Sequence, residues 1–125
     1  MWAEALELLQ DAERLQRQFF RIGVLQGAPC WEPPVDVYES GDELRLLIAL
    51  PGVTAQQVEV VLAPNLIVVR GERSLPASSR RALIHRLEIP YGHFERRIAL
   101  PAGEYELVDR RLEHGCLALD LRRLS

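Results

Sequence analysis

Lysine is missing from this chain of 125 residues, so its basic charge is carried by arginine alone. The 15 basic residues stand against 18 Asp and Glu, a formal net charge of -3 at pH 7. Acids and arginines are interspersed, so no net basic field attracts a phosphate backbone, and nucleic acid is not an expected partner. Long apolar runs are missing too. Residues 1–18 alternate acids with leucines and have no basic leader, whereas a membrane-spanning helix needs about 20 apolar residues in a row and a signal peptide needs a basic start. Neither membrane insertion nor secretion is expected, which points to the cytoplasm. Cysteine is scarce: Cys30 and Cys116 stand far apart, too few for the disulfide framework of a small secreted domain.

Chemical signatures are equally sparse. There is no Cys-x-x-Cys, no His-x-x-x-His and no Gly-rich phosphate loop, so no metal, nucleotide or other cofactor is expected. His85 and His93 fall on different predicted strands and His114 falls in a turn. His114 and Cys116 lack a third group to orient a base, so no catalytic residue is assigned, and Cys116 reads as a small core hydrophobe. Most of the pairs Arg80-Arg81, Arg96-Arg97, Arg110-Arg111 and Arg122-Arg123 have acids close by, the pattern of solvated strand faces with ion pairs.

What remains is a globular composition, with 48% hydrophobic and 26% charged residues. A chain of this length buries roughly two thirds of its unfolded surface, enough for a core. Two regimes meet at residues 27–34, where Gly27, Pro29, Pro33 and Pro34 concentrate helix and strand breakers; a linker is expected there. Before it, Trp2, Ala5, Leu6, Leu9, Ala12 and Phe19 recur at spacings of three and four, predicting an amphipathic helix. Its acids come early and its arginines late, an order that suits the helix dipole.

After the linker the period becomes two. Strands are predicted at 35–39 and 43–50 around the turn Ser40-Gly41-Asp42, and Thr54 to Gln57 has capping-box spacing for one helical turn. Further strands are predicted at 58–62, at 66–73 with both faces covered, at 83–89, at 94–100, and in a last hairpin, 106–113 and 116–121, around His114-Gly115. About eight short strands with regular turns predict an all-β sandwich.

The landmarks Leu50-Pro51-Gly52-Val53, Val58-Glu59-Val60, Gly71-Glu72-Arg73, Tyr91-Gly92-His93-Phe94-Glu95-Arg96, Leu100-Pro101 and Gly115-Cys116-Leu117 follow in this order between residues 34 and 121. In that series the chain resembles the small heat-shock proteins, the Hsp20 or α-crystallin domain family. The resemblance implies an immunoglobulin-like β-sandwich at 34–125 behind an arm at 1–33, with no active site. It also implies an ATP-independent chaperone, a holdase, whose partners are non-native client proteins and a second copy of itself. In that homodimer the 83–89 strand is exchanged onto the partner's 35–38 edge, giving Val35, Val37, Leu83, His85, Leu87, Ile89 and Arg96 as interface residues.

Two departures from the family pattern stand out. Arg110, His114 and Cys116 occupy places where the family carries Ala, Asn and Val, and the sequence stops soon after Leu121, without the extension that plugs a neighbour's groove in large shells. A dimer or small assembly is therefore expected. The groove is expected between Val58, Val60, Leu62 and Leu112; with the arm residues Trp2, Leu6, Leu9, Phe19 and Phe20 it is a candidate client surface. The same periodicities also suit a helix packed on its own domain and valines facing a core. A scaffolding protein that uses the same domain to bind one folded partner is the competing function.

Overall fold

A strand with one apolar face must bury that face against another layer, and this chain does so by stacking two sheets. The computed structural model describes residues 20–22 and 29–124; the helix expected over residues 2–19 lies outside them. Among the described residues the strands are β1 (Phe20–Ile22), β2 (Pro29–Trp31), β3 (Val35–Ser40), β4 (Glu43–Ala49), β5 (Val58–Ala63), β6 (Leu66–Arg73), β7 (Gly92–Ala99), β8 (Glu104–Glu113) and β9 (Cys116–Leu124). One sheet has the order β1-β2-β7-β6-β5 and the other β3-β4-β9-β8. This is the expected all-β sandwich.

The core follows from the period-two pattern. Leu44, Leu46 and Ile48 of β4 lie opposite Leu121, Leu119 and Leu117 of β9, all buried. From the other sheet come Ile67 and Val69 of β6, Phe94 and Ile98 of β7, and Val58 of β5, with Leu50, Val53 and Leu100 closing the ends. Turn chemistry sets the registers. Gly41 has φ 61° in the two-residue link between Ser40 and Glu43, where a II′ turn takes glycine first. His114 and Gly115 both have positive φ between Glu113 and Cys116, as a I′ hairpin turn requires.

Four expectations need correction. The breaker-rich stretch at 27–34 is not only a linker: Pro29–Trp31 forms β2, and Trp31 is 2% exposed with its ring centroid 5.3 Å from that of Phe94. A large indole gains more by burial than its proline neighbours cost. Residues 83–89 do not form a strand, because a segment becomes one only with a neighbour to bond, and among the described residues no strand pairs with it. β6 has one buried face, not two: Ile67 and Val69 are buried while Leu66 and Val68 are half-buried. Cys116 is half-buried rather than in the core, since its neighbour Leu117 takes the inward position.

The turn at Ala55–Gln57 explains one glycine. Thr54 donates its backbone N–H to Gln57 Oε1 at 3.0 Å, and this turn lies against Gly71 of β6. A Cβ at position 71 would stand 1.9 Å from the Gln57 carbonyl oxygen and 2.9 Å from Phe94 Cζ. Gly71→Ala is therefore expected to destabilise the fold by at least about 2 kcal/mol through overpacking, read as a lower midpoint in urea denaturation; an unchanged midpoint would show that the turn yields freely.

Candidate functional site

The surfaces that can recognise another chain are the edges of the two sheets, where backbone donors and acceptors lack strand partners. β3 forms one such edge. Among the described residues it pairs with β4 on one side only, and Val37 and Tyr38 are 45% and 54% exposed. Val35 is half-buried against the core.

The second element is the excursion between β6 and β7. Its ends are held together, because Arg73 pairs with Gly92 in the ladder. Arg73 itself is buried, donating from Nε to the Pro51 carbonyl at 2.7 Å and from Nη1 to the Pro90 carbonyl at 3.3 Å. From this base a short turn, Ala77–Arg81, leads into a segment that carries its apolar side chains outward. Leu83 is 88% exposed, Ile84 and Ile89 are each 53% exposed, His85 is exposed and Leu87 is half-buried. Arg96 stands on β7 opposite Val69 and forms an ion pair with Glu32 at 3.8 Å, so in a single chain it is tied to the residue after Trp31.

The third surface lies between β5 and β8, the adjoining edges of the two sheets. Val60, Leu62 and Leu112 are half-buried and pack on the core margin. Val58 is buried and belongs to the core beneath them. Across this margin Arg110 of β8 donates from Nη2 to the Val58 carbonyl at 2.8 Å and, more weakly, to the Ala55 carbonyl at 3.4 Å. Trp31, Arg73 and Arg110 were missing from the residues that pattern alone singles out. The available signals were a tryptophan among breakers, the Gly-Glu-Arg landmark, and an arginine in a place where alanine is usual.

The outer face of the β3-β4-β9-β8 sheet carries charge. Arg45 donates to Asp120 at 2.8 Å, and Arg111 binds Asp109 and approaches Asp120 at 3.5 Å and Glu113 at 3.4 Å. The hydrogen bond from Arg45 is the main reason the Asp120 carboxyl lies below the usual carboxylate range, partial burial opposing it and the charges of Arg45 and Arg111 adding to it. On the other sheet Glu59 is lowered in the same way by the hydrogen bond from Arg70. These pairs answer the expectation that most arginines sit beside acids. Arg110 differs, spending its side chain on carbonyls.

A model of the Hsp20/alpha crystallin family matches residues 36–125. The chain belongs to that family. Among relatives, the 16.9 kDa class I heat shock protein 1 of Triticum aestivum is 36% identical over 87 residues, 68% of this chain and 58% of that protein. The 22.0 kDa heat shock protein of Arabidopsis thaliana is 31% identical over 93 residues, 73% of this chain and 48% of that protein. The chain thus spans about half the length of such relatives. A small heat-shock protein from Xylella fastidiosa, solved in a distinct high order structure, superposes with a TM-score of 0.64 at 30% identity, covering 76% of this chain and 88% of that one.

As a small heat-shock protein domain, the chain is of a chaperone family. Among the described residues no helix is long and apolar enough to cross a membrane. Its surface ion pairs have a pH signature. Asp120 has a lower pKa folded than unfolded, so its contribution to stability is complete above the unfolded value near 4 and fades as pH falls through the folded one. Wild type is expected to exceed Asp120→Asn in denaturant midpoint at pH 7, the gap beginning to close near the unfolded value of about 4 and vanishing once pH has fallen through the lower folded one; a gap unchanged across the whole acid titration would mean that the amide disturbs packing instead.

Proposed function

We propose that this chain is an ATP-independent holdase, which binds non-native proteins under stress and suppresses their aggregation without catalysis or cofactor. The observation that carries the proposal is the apolar segment around Leu83, Ile84 and Ile89, held outside a sandwich whose own core is complete without it. A protein that meets unfolding clients needs apolar surface ready to be exchanged, and a domain that stays folded while it is given up. Membership in a chaperone family supports the same conclusion.

In this proposal the working unit is a homodimer. Residues 83–89 of each copy pair with the partner's β3 through Val35 and Val37, covering Leu83, Leu87 and Ile89, with His85 at the rim. Two edges without neighbours are thereby satisfied at once. Arg96 stands close enough to Glu32 to exchange that partner for one across the seam. Small higher assemblies are built from the dimer, as the high order structure of the Xylella relative encourages. Clients are held first by the arm, through Trp2, Leu6, Leu9, Phe19 and Phe20, and second by the groove at Val60, Leu62 and Leu112 above Val58. A cytoplasmic place of action fits Cys30 and Cys116, which no disulfide joins.

The test is light scattering of a heat-labile dehydrogenase near its unfolding temperature, without nucleotide. Near-stoichiometric protein is expected to suppress most of the signal. The triple variant Trp2→Ser, Leu9→Ser, Phe20→Ser should lose at least half of that protection, and Val60→Glu a smaller part. Unchanged client aggregation with wild type would sink the holdase proposal and favour a scaffold for one folded partner; full protection by the triple variant would remove the arm from it.

A further inference from the structure

Arg73 is the one charged side chain buried among the described residues, 9% exposed. It ends the row Ile67, Val69, Gly71, Arg73 on the inward face of β6, and strand alternation carries its guanidinium to the end of the sandwich. The acceptors it meets there are the carbonyls of Pro51 and Pro90, not a carboxylate. Stability alone does not ask for this residue. Burying a charge costs free energy, and an apolar side chain of like volume in such a place is often neutral or better. Pro51 and Pro90 are both half-buried, so water can take over their carbonyls if the guanidinium is removed.

What the arginine adds is position. Pro90 directly follows Ile89, the end of the apolar segment 83–89. Proline fixes its own φ and confines the residue before it to extended conformations. With the Pro90 carbonyl held as well, the direction in which the segment leaves the sandwich is set from inside the fold. Nearby bonds work to the same end: Gln57 Nε2 donates to Ser74 Oγ at 3.1 Å where the excursion begins, and Trp31 Nε1 donates to the Gly92 carbonyl at 3.2 Å where it ends. The second acceptor, Pro51, lies just past β4, the strand that carries β3, and Ala49 N–H donates to the Pro34 carbonyl at 3.1 Å where β3 starts. Arg73 thus ties the outgoing segment to the strand that supports the β3 edge.

We propose that Arg73 is the positioning residue of the subunit interface: by holding the Pro90 carbonyl against the end of β4 it presents residues 83–89 in the direction from which a second copy's β3 can take them up. This rests on the homodimer by strand exchange proposed above and names the residue that governs it. Arg73, being buried, acts through the segment and not by contact with the second copy. It favours docking by removing in advance freedom that the segment would otherwise lose on binding.

Arg73→Met keeps the stem and removes every donor. Sedimentation of the full chain over a range of concentrations is expected to give this variant a homodimer dissociation constant at least about tenfold above that of wild type, the loss of preorganisation. Val69→Ala, a cavity on the same strand, is the converse: it lowers the urea midpoint and leaves the dissociation constant within about twofold of wild type. The midpoint of Arg73→Met, read at dilutions where the proteins are monomeric, should fall less than that of Val69→Ala. Leu83→Asp, which puts a charge in the exchanged segment, should abolish the dimer. Arg73→Gln, whose shorter head cannot span both carbonyls, replaces the methionine variant if circular dichroism shows the latter unfolded.

A lowered midpoint with an unchanged dissociation constant in Arg73→Met overturns the positioning role while leaving the dimer intact, and so does a Val69→Ala that weakens the dimer as much as Arg73→Met does. A wild type that stays monomeric, or a dimer indifferent to Leu83→Asp, instead removes strand exchange itself, and the role of Arg73 falls with it.

Discussion

Backbone amides and carbonyls at the edge of a sheet must meet water, a side chain or another strand, and two open sheets stacked face to face have four such edges. They are handled in different ways here. On the β7 side, Trp31 docks on Phe94 and β2 continues the sheet, with Trp31 Nε1 donating to the Gly92 carbonyl at 3.2 Å. On the adjoining β5 and β8 edges, the Arg110 side chain bridges the gap to the Val58 carbonyl without forming a ladder. Among the described residues the β3 edge has no second strand beside it, and the apolar segment at 83–89 pairs with none. That mismatch between an open edge and an orphan segment is what a second copy can resolve.

Stability and availability are kept apart by where the arginines go. Arg73 anchors both the loop after β4, through Pro51, and the return of the long excursion, through Pro90. The base of the segment between is thus fastened from within. Arg123 does a comparable task at the far end, donating to Glu39 at 3.0 Å and to the Tyr105 hydroxyl at 2.9 Å and so tying β9 to β3 and β8. With no lysine in the chain, these contacts use the planar, multi-donor guanidinium, which can reach two acceptors at once.

Strand periodicity and turn residues made most of the sandwich legible. Leu44, Leu46 and Ile48 against Leu117, Leu119 and Leu121 could be read as two inward faces, and Gly41 and Gly115 as the turns beside them. Trp31 was hidden because proline-rich composition suppresses a strand reading, although one large aromatic suffices to bury the stretch. The bulge at Val108 was hidden because it breaks the very alternation by which strands are read, and with it went the side of β8 on which Arg110 lies. Residues 83–89 have strand character but pair with no strand among the described residues, so pattern alone could suggest a strand but not its partner. The arm residues Trp2, Leu6, Leu9 and Phe19 lie outside the described part, and their role rests on helical periodicity alone.

The open edge and the orphan segment are most directly tested by hydrogen exchange of backbone amides in the full chain, measured at high protein concentration and again after dilution. Exchange between copies predicts that amides of 83–89 and 35–40 are slowed together when concentrated and released together on dilution, while β4, β6 and β9 stay protected throughout. Amides of 83–89 that exchange at free-peptide rates in a protein shown by sedimentation to be dimeric would contradict it, and would place the interface elsewhere on the sandwich.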